Sequence, residues 1–330
     1  MEKVRWGIIG VGDVTERKSG PAFQKVPNSE LIAVMRRDAR KAEDYAKRHS
    51  VPKWYSNADK LINDPEVDVV YIATPPSSHM EYTIKVAAAG KPVYVEKPMA
   101  LNYEQCRRMI KACNKANVPL YVAYYRRGLP AFQKVKELVE DGAIGEVRFV
   151  NVVHYQMASI RQGEKLPWRV LPEISGGGLF MDMGAHTIDI LDFILGPFEK
   201  VQGEASNQAG LYPADDIVSA EWVFQSGAHG TGVWCFTTFK NYEMNEIIGS
   251  KGLIRFSTFG NVPVVLETEK GQEKFTFENP ENIQQGLIQL VVDDLLGKGR
   301  CPSTGQNGAR TSWVMDQILK SWREKNNIHF

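Results

Sequence analysis

The sequence predicts an α/β protein in which an N-terminal doubly wound parallel sheet of the Rossmann type precedes a second α/β domain with a large open, mostly antiparallel sheet. Up to about Val122, short apolar strands alternate with polar helices, the pattern of βαβ units. A glycine-rich turn follows the first strand, and beyond Val201 single glycines separate successive strands. We expect the first domain to cover residues 1–122 and the second to cover residues 123–330, with the C-terminal helix packing back on the first.

The elements of the first domain follow from its apolar runs. Continuous apolar stretches predict strands that are buried on both faces, at Val4–Ile9, Leu31–Met35, Val67–Ala73 and Pro92–Val95. The polar segments Ala39–His49 and Met80–Ala89 predict helices, and Gly90 stands where a helix C-cap is expected.

The second domain begins with a helix and then changes to alternating strands. Its predicted elements are the helix Pro130–Asp141, the strand Val147–Gln156, the apolar helix Leu179–Leu195, antiparallel strands from Val201 to Phe277 with turns at Gly203, Gly227, Gly249 and Gly260, and the closing helices Ile283–Leu296 and Gly308–Lys325.

Composition excludes several classes of partner. The 330 residues are 43% hydrophobic and 24% charged with a net charge of +1, so no overall field attracts nucleic acid or an anionic membrane. No apolar run is long enough to span a bilayer, and the start lacks the pattern of a signal peptide. The four cysteines include no CxxC pair and no histidine at ligand spacing, so we expect no metal; Cys106 and Cys113 share a helix face and predict core positions. A cytoplasmic protein with reduced thiols is expected.

The turn after the first strand carries the clearest binding signal. Gly10 and Gly12 match the first two glycines of a dinucleotide fingerprint, which allow a tight turn and close approach of a pyrophosphate. Asp13 and Val14 open the following helix, and Thr15 replaces the third glycine, which predicts a helix slightly further from the strand. At the start of a βαβ series this pattern predicts a dinucleotide site.

Cofactor preference depends on the end of the second strand. A site selective for NAD carries an acid there to hold the ribose 2′-hydroxyl. This chain has Arg36 and Arg37, whose guanidinium groups suit a 2′-phosphate, so NADP is predicted with NAD still possible. The alternative is two solvated arginines, with Asp38 reaching the ribose.

Two further loops follow strands of the same sheet. Thr74 and Pro75 begin a stiff loop that can wall the cofactor, and His79 is either a ligand contact or a residue that starts a helix. Glu96 and Lys97 follow the next strand. Because an unpaired lysine is costly to bury, Lys97 is either functional or a surface partner of Glu96.

A glycine-rich segment introduces the other polar cluster. Gly176–Gly178 precedes an apolar helix on which Asp182, His186 and Asp189 share one face. An imidazole beside a carboxylate is a plausible proton relay. The alternative for His186 is a core histidine with its hydrogen bonds satisfied.

Together these motifs resemble the glucose–fructose oxidoreductase / inositol dehydrogenase (Gfo/Idh/MocA) family over nearly the whole chain. The resemblance implies catalytic roles for Lys97, Asp182 and His186. It also implies that Tyr125 and Arg126 reach the substrate, together with Asp182 and His186, and that Trp168 and Arg169 belong to a loop over the cofactor. The remaining expected contacts are Thr74, Pro75, His79 and Glu96 for the cofactor and Tyr155 for the substrate.

The resemblance implies an oxidoreductase that transfers a hydride between a nicotinamide and a carbinol or carbonyl carbon of a sugar, cyclitol or related small molecule. Family members commonly pair through the C-terminal sheet, so a homodimer or homotetramer is expected. Two alternatives stay open: a glycosidase-type enzyme that retains its dinucleotide without net redox change, and a non-catalytic dinucleotide-binding sensor. The second has no need for Lys97, Asp182 and His186 together.

Overall fold

A computed structural model describes residues 2–330 and resolves two compact units. The first contains the described residues up to Leu129 and residues 279–309; the second contains residues 130–278 and 310–330. The border therefore differs from the predicted one, because residues 123–129 and 279–309 group with the N-terminal unit. Within that unit, the Ser303 hydroxyl donates to the Val122 carbonyl at 2.6 Å, and the Arg127 guanidinium donates to the Pro302 carbonyl at 3.0 Å.

The strands are numbered along the chain. They are β1 (Val4–Ile9), β2 (Ser29–Met35), β3 (Lys53–Tyr55), β4 (Val69–Ile72), β5 (Val93–Val95), β6 (Leu120–Val122), β7 (Val147–Tyr155), β8 (Phe198–Ser206), β9 (Ile217–Phe224), β10 (His229–Cys235), β11 (Tyr242–Gly249), β12 (Gly252–Phe256), β13 (Val264–Thr268) and β14 (Gly271–Phe275).

The α-helices are numbered in the same way. They are α1 (Asp13–Arg17), α2 (Ala22–Lys25), α3 (Ala39–Arg48), α4 (Ala58–Ile62), α5 (His79–Ala88), α6 (Tyr103–Lys115), α7 (Pro130–Glu140), α8 (Pro172–Ser175), α9 (Leu179–Leu195), α10 (Gln285–Leu295) and α11 (Gly305–Lys325). Within residues 2–330, none of them has the length and hydrophobicity needed to cross a membrane.

The first unit is the predicted Rossmann-type sheet. Its six strands lie in the order β3-β2-β1-β4-β5-β6, and all neighbouring pairs are parallel. Strands β4 and β5 are buried along their whole length, as expected of strands covered on both faces. Strand order reverses between β1 and β4, and in such sheets the reversal opens a ligand crevice at the carboxyl ends of the strands.

The second unit contains the predicted open sheet, with eight strands in the order β14-β13-β12-β11-β7-β10-β9-β8. All neighbours are antiparallel except β7 and β10, which run parallel. Alternate residues of β7 are buried, which gives the sheet one core face and one more exposed face. On the core side, Phe180 of α9 packs edge-on against Trp234 with ring centroids 4.9 Å apart.

One predicted turn is wrong. Gly203 lies inside β8 rather than between strands. A Cβ at that position would come within 2.8 Å of Ile318 Cγ2 and 2.9 Å of the Ser219 carbonyl oxygen, so the glycine allows α11 to pack against the strand. Gly227 does form a turn, with φ at +88°. The four cysteines are buried, including Cys106 and Cys113 at the predicted core positions of α6.

Candidate functional site

The glycine turn after β1 has two positions with different constraints. Gly10 has φ at +96°, and a Cβ there would lie 2.7 Å from Thr74 Cγ2 and 3.0 Å from the Ala73 carbonyl carbon. The turn can therefore approach the loop after β4 only with glycine. A Cβ on Gly12 would have the Gly10 oxygen, at 4.0 Å, as its nearest neighbour, so the space beside Gly12 is open. That open cradle fits the approach of a dinucleotide pyrophosphate.

Thr15 occupies the position of the third fingerprint glycine and is fully buried. Its hydroxyl donates to the Gly12 carbonyl at 2.8 Å and accepts from the Gly12 amide at 2.9 Å. These two bonds cap the start of α1, where Asp13 is exposed and Val14 half-buried. A threonine is compatible with the turn because its hydroxyl satisfies these backbone groups of Gly12.

The end of β2 points a basic group towards the same turn. Arg36 donates from Nη1 to the Val11 carbonyl at 3.0 Å, while Arg37 is exposed. Asp38 is the N-cap of α3, and its carboxylate accepts from the Lys41 amide at 3.2 Å. One oxygen of this carboxylate is therefore engaged by the helix, while the side chain remains exposed.

His79 links two loops of the first unit. Its ring is fully buried, with Nε2 2.7 Å from the Thr74 carbonyl oxygen and Nδ1 3.0 Å from the Pro98 and 3.2 Å from the Met99 carbonyl oxygen. Burial lowers the pKa of the ring. His79 is the first residue of α5, as one of its two interpretations predicts, and its buried ring links the loop at Thr74 to the turn after Lys97. A direct cofactor contact of His79 stays a prediction.

Lys97 emerges from a buried segment. Within residues 93–101 it is the one residue that is not buried, and the Lys97–Pro98 peptide is cis. Its backbone amide donates to Glu96 Oε2 at 3.1 Å. The Glu96 side chain lies inside the protein, so its carboxylate holds the turn from within. Its oxygens bind protein donors, and the cofactor contact expected of Glu96 stays a prediction.

The turn after β6 contains the other predicted substrate residues of this unit. Tyr125 and Arg126 are both buried, and the Arg126 guanidinium carbon lies 4.8 Å from the centroid of the Tyr125 ring. Arg127 is anchored to the Pro302 carbonyl. A glycine follows at position 128 because a Cβ there would lie 2.6 Å from the Leu287 amide nitrogen.

In the second unit, α9 carries the Asp182 and His186 pair. Asp182 is half-buried, and its Oδ2 lies 3.2 Å from Nε of Arg169. The Arg169 guanidinium carbon in turn lies 4.5 Å from the centroid of the Trp168 ring. The structure therefore brings Trp168 and Arg169 to Asp182, a juxtaposition that the sequence motifs alone do not predict.

His186 is buried one turn further along α9. Its ring packs edge-on against Phe259 at a centroid distance of 5.9 Å, and Phe259 contacts His154 at 5.1 Å. His154 lies next to the predicted substrate residue Tyr155, and burial lowers the pKa of its imidazole. The alternation of β7 predicts His154 on the core face, but no sequence motif marks it as a site residue. Asp189 accepts from the Thr311 hydroxyl at 3.3 Å and so supports α11.

The glycines before α9 have a packing reason. Gly178 donates its amide to Asp215 Oδ1 at 3.0 Å, and a Cβ on Gly178 would lie 2.3 Å from the Asp215 carbonyl oxygen. Burial raises the pKa of Asp215 to about 6. The glycine run therefore lets Asp215 approach the start of the helix. Within residues 2–330 no cluster of histidine, cysteine or acidic side chains has the arrangement of a metal site.

Comparison with known proteins decides the family. Residues 4–124 match the model of the oxidoreductase family with an NAD-binding Rossmann fold, and residues 132–255 match the GFO/IDH/MocA C-terminal domain. The chain belongs to the Gfo/Idh/MocA family. It is a nicotinamide dinucleotide-binding oxidoreductase.

Relatives cover almost the entire chain. Oxidoreductase P35 of Formosa agariphila is 38% identical over 316 residues, which are 95% of this chain and 98% of that protein. The 1,5-anhydro-D-fructose reductase of Ensifer adhaerens is 28% identical over 92% of both chains. Among solved structures, levoglucosan dehydrogenase in complex with NADH has a TM-score of 0.89 at 23% identity, over 98% of each chain, which supports the fold.

Proposed function

We propose that this family member is an NADP-preferring dehydrogenase or reductase that acts on a CH–OH group of a sugar, cyclitol or related polyol. The observation that carries the proposal is Lys97, a partly exposed ammonium-bearing residue within the buried segment 93–101. It follows β5 at the carboxyl edge of the same parallel sheet that carries the glycine turn. The names of the relatives, an anhydrofructose reductase and a levoglucosan dehydrogenase among them, support a carbohydrate substrate.

The chemistry divides between cofactor and protein. The nicotinamide, when bound, supplies the hydride acceptor or donor at its C4 position. We assign Lys97 to the substrate oxygen, where its ammonium group donates a hydrogen bond and stabilises negative charge as the C–H bond breaks. His186 takes the hydroxyl proton in oxidation and returns it in reduction. Asp182, close to Arg169, orients the substrate through its carboxylate.

The proposed preference for NADP rests on charge at the end of β2. Arg36, Arg37 and the first-turn residues Arg40 and Lys41 form a basic group, and the first turn of α3 contains no acidic residue. These four cations face a single capping carboxylate, Asp38, at the N-terminus of α3, so a bound dianion such as a 2′-phosphate gains from the excess positive charge.

The proposal also covers the oligomeric state of the protein and its location in the cell. The half-exposed face of the second sheet carries charged side chains, in which Arg255 pairs with Glu246 and Glu267. We propose that a second copy of the chain covers this face, as a homodimer or as part of a homotetramer. We also propose a cytoplasmic location, which the burial of all four thiols without a disulfide in the described chain supports.

A substrate panel tests the proposal. Levoglucosan and 1,5-anhydro-D-fructose, the compounds in the names of two relatives, are offered with NADP or NADPH, and both product and absorbance of the reduced cofactor are followed. We expect turnover of a compound with a carbinol or carbonyl group, with one cofactor converted per product. We expect Lys97→Met to bind NADPH normally and to lose at least about 100-fold in kcat. Product without net conversion of cofactor contradicts the redox proposal, and full turnover by Lys97→Met contradicts the role of Lys97.

A further inference from the structure

The carboxylate beside Lys97 is held by donors from distant parts of the first unit. Glu96 is 6% exposed. Its Oε2 accepts the Lys97 amide, and its Oε1 accepts from the Tyr71 hydroxyl at 2.5 Å and from Nε2 of Gln284 at 2.7 Å. A buried carboxylate is stable only when such donors replace its water. The position of the Lys97 turn therefore depends on them.

Gln284 has a fixed orientation. It is fully buried, and its Oε1 accepts from the Tyr94 hydroxyl at 3.3 Å, so its amide nitrogen faces Glu96. Its backbone amide donates to the Lys18 carbonyl at 3.1 Å, which anchors the start of α10 near the end of α1. Both the oxygen and the nitrogen of the side-chain amide thus make hydrogen bonds. Neither an ionised carboxylate nor an apolar side chain can make the same pair of bonds.

We propose that Gln284 is a positioning residue for Lys97 that acts through Glu96. This inference rests on the proposed catalytic role of Lys97. Loss of the Gln284 donor leaves Glu96 Oε1 with one buried donor fewer, so the carboxylate turns away from its present position. The Lys97 amide then loses its fixed acceptor, and the ammonium group no longer meets the substrate oxygen at the same place. Because a displacement of about 1 Å can cost roughly 100-fold in rate, a smaller shift costs about tenfold.

The main experiment compares Gln284→Met with Gln289→Met. Gln289 lies on the same helix and donates to Asp293 Oδ1 at 2.8 Å, a bond that does not involve Glu96. For Gln284→Met we expect kcat to fall about tenfold with KM unchanged. We also expect an unchanged Kd for NADPH by fluorescence titration and about tenfold faster hydrogen exchange at the Lys97 amide. The control is expected to match the wild type in all four measurements.

A second pair of variants separates the hydrogen bond from general damage to the core. Gln284→Glu keeps the shape of the side chain but places two buried carboxyl groups in contact, which must share a proton to stay together. We therefore expect exchange at the Lys97 amide, corrected for its intrinsic pH dependence, to become fast as pH rises and this proton is lost. Adding Glu96→Gln restores a donor and acceptor across the pair, and exchange is expected to slow again. Continued fast exchange in this double variant, at wild-type thermal stability, overturns the proposal.

A third comparison distinguishes this inference from the proposed function. In a Lys97→Met background, Gln284→Met is expected to have no further effect on the residual turnover, because it acts through Lys97. If Lys97→Met abolishes turnover but Gln284→Met retains wild-type kcat and exchange, the positioning role fails while the proposed function holds. If Lys97→Met itself retains turnover, the catalytic role proposed for Lys97 fails, and faster exchange in Gln284→Met still establishes the structural link between Gln284 and the Lys97 amide.

Discussion

At the scale of a single residue, the buried carboxyl group of Asp215 links the stability of the second unit to pH. It accepts the Gly178 amide at the start of α9, but burial disfavours its charged form and raises its pKa from 3.8 to about 6. The folded protein therefore binds a proton more tightly than the unfolded chain at this position. The resulting stabilisation is complete below about pH 4 and is lost as pH rises through about 6.

Asp215→Asn removes this dependence. The amide oxygen can still accept from Gly178, but no charge has to be buried. We expect the free energy of unfolding of the variant, relative to the wild type, to increase by on the order of 3 kcal/mol between about pH 4 and pH 7. Urea denaturation at a series of pH values measures the difference. Parallel curves for the two proteins show that Asp215 does not carry this effect.

Arg36 and Arg37 determine the proposed cofactor preference at the same scale. Replacing both by alanine removes charge-assisted bonds to a 2′-phosphate, so we expect the Kd for NADPH to rise about 10–100-fold and the Kd for NADH to change little. Fluorescence titration with each reduced cofactor measures this, with Arg107→Ala on the exposed face of α6 as the control. Equal losses for both cofactors contradict the preference.

At the scale of an element, the two glycines of the first turn have separable tasks. Gly12→Ala places its Cβ in open space, so we expect unchanged stability and a Kd for NADPH raised about tenfold through loss of close approach. Gly10→Ala combines a φ of +96° with a contact of 2.7 Å, so we expect about 1–3 kcal/mol of destabilisation. Thermal unfolding and cofactor titration on both variants test this. A destabilised Gly12→Ala with normal affinity contradicts the assignment.

Elements with a strong local pattern could be predicted from the sequence. A few neighbouring residues are enough to predict the apolar strand β1, the glycine turn that follows it and the apolar helix α9. The edge strand β3 cannot be predicted in this way because Lys53–Tyr55 is short and only partly buried, so it lacks an apolar run. The parallel pairing of β10 with β7 cannot be predicted either, because the residue pattern of a strand does not specify its partner.

Parts of the candidate site could be predicted for the same reason. Lys97, Asp182 and His186 stand in local motifs whose spacing is visible along the chain. The positioning role proposed for Gln284 could not be predicted from the sequence, because it depends on a contact with Glu96, 188 positions earlier. The approach of Arg169 to Asp182 likewise depends on how a loop folds back, and no periodicity encodes that contact.

At the scale of the whole molecule, the first unit is completed by a late segment of the chain. Three hydrogen bonds join residues 279–309 to the rest of this unit: those between Gln284 and Glu96, Pro302 and Arg127, and Ser303 and Val122. A chain that ends at Glu278 therefore exposes the end of the parallel sheet and leaves these buried polar groups without donors or acceptors.

We expect such a truncated chain to fail to form a stable first unit, although it retains all six strands of its sheet. Circular dichroism and limited proteolysis of the truncated protein, compared with the full chain, test this. The matched comparison adds residues 279–309 as a separate peptide and looks for recovered protection. A cooperatively folded, NADPH-binding fragment 1–278 contradicts the expectation.

Strand β7 lies between β10 and β11, and both of these neighbours follow it in the chain. During synthesis, both hydrogen-bonding edges of β7 therefore remain unpaired until β10 and β11 have left the ribosome. About 80 residues separate the end of β7 from the end of β10, which at about 5–20 residues per second corresponds to an interval on the order of ten seconds. Throughout that interval a strand with one apolar face has both edges unpaired. The nascent second unit is thus prone to aggregate through β7, the strand that later lies in the middle of its sheet. A chaperone that covers β7 during this interval gives the most protection.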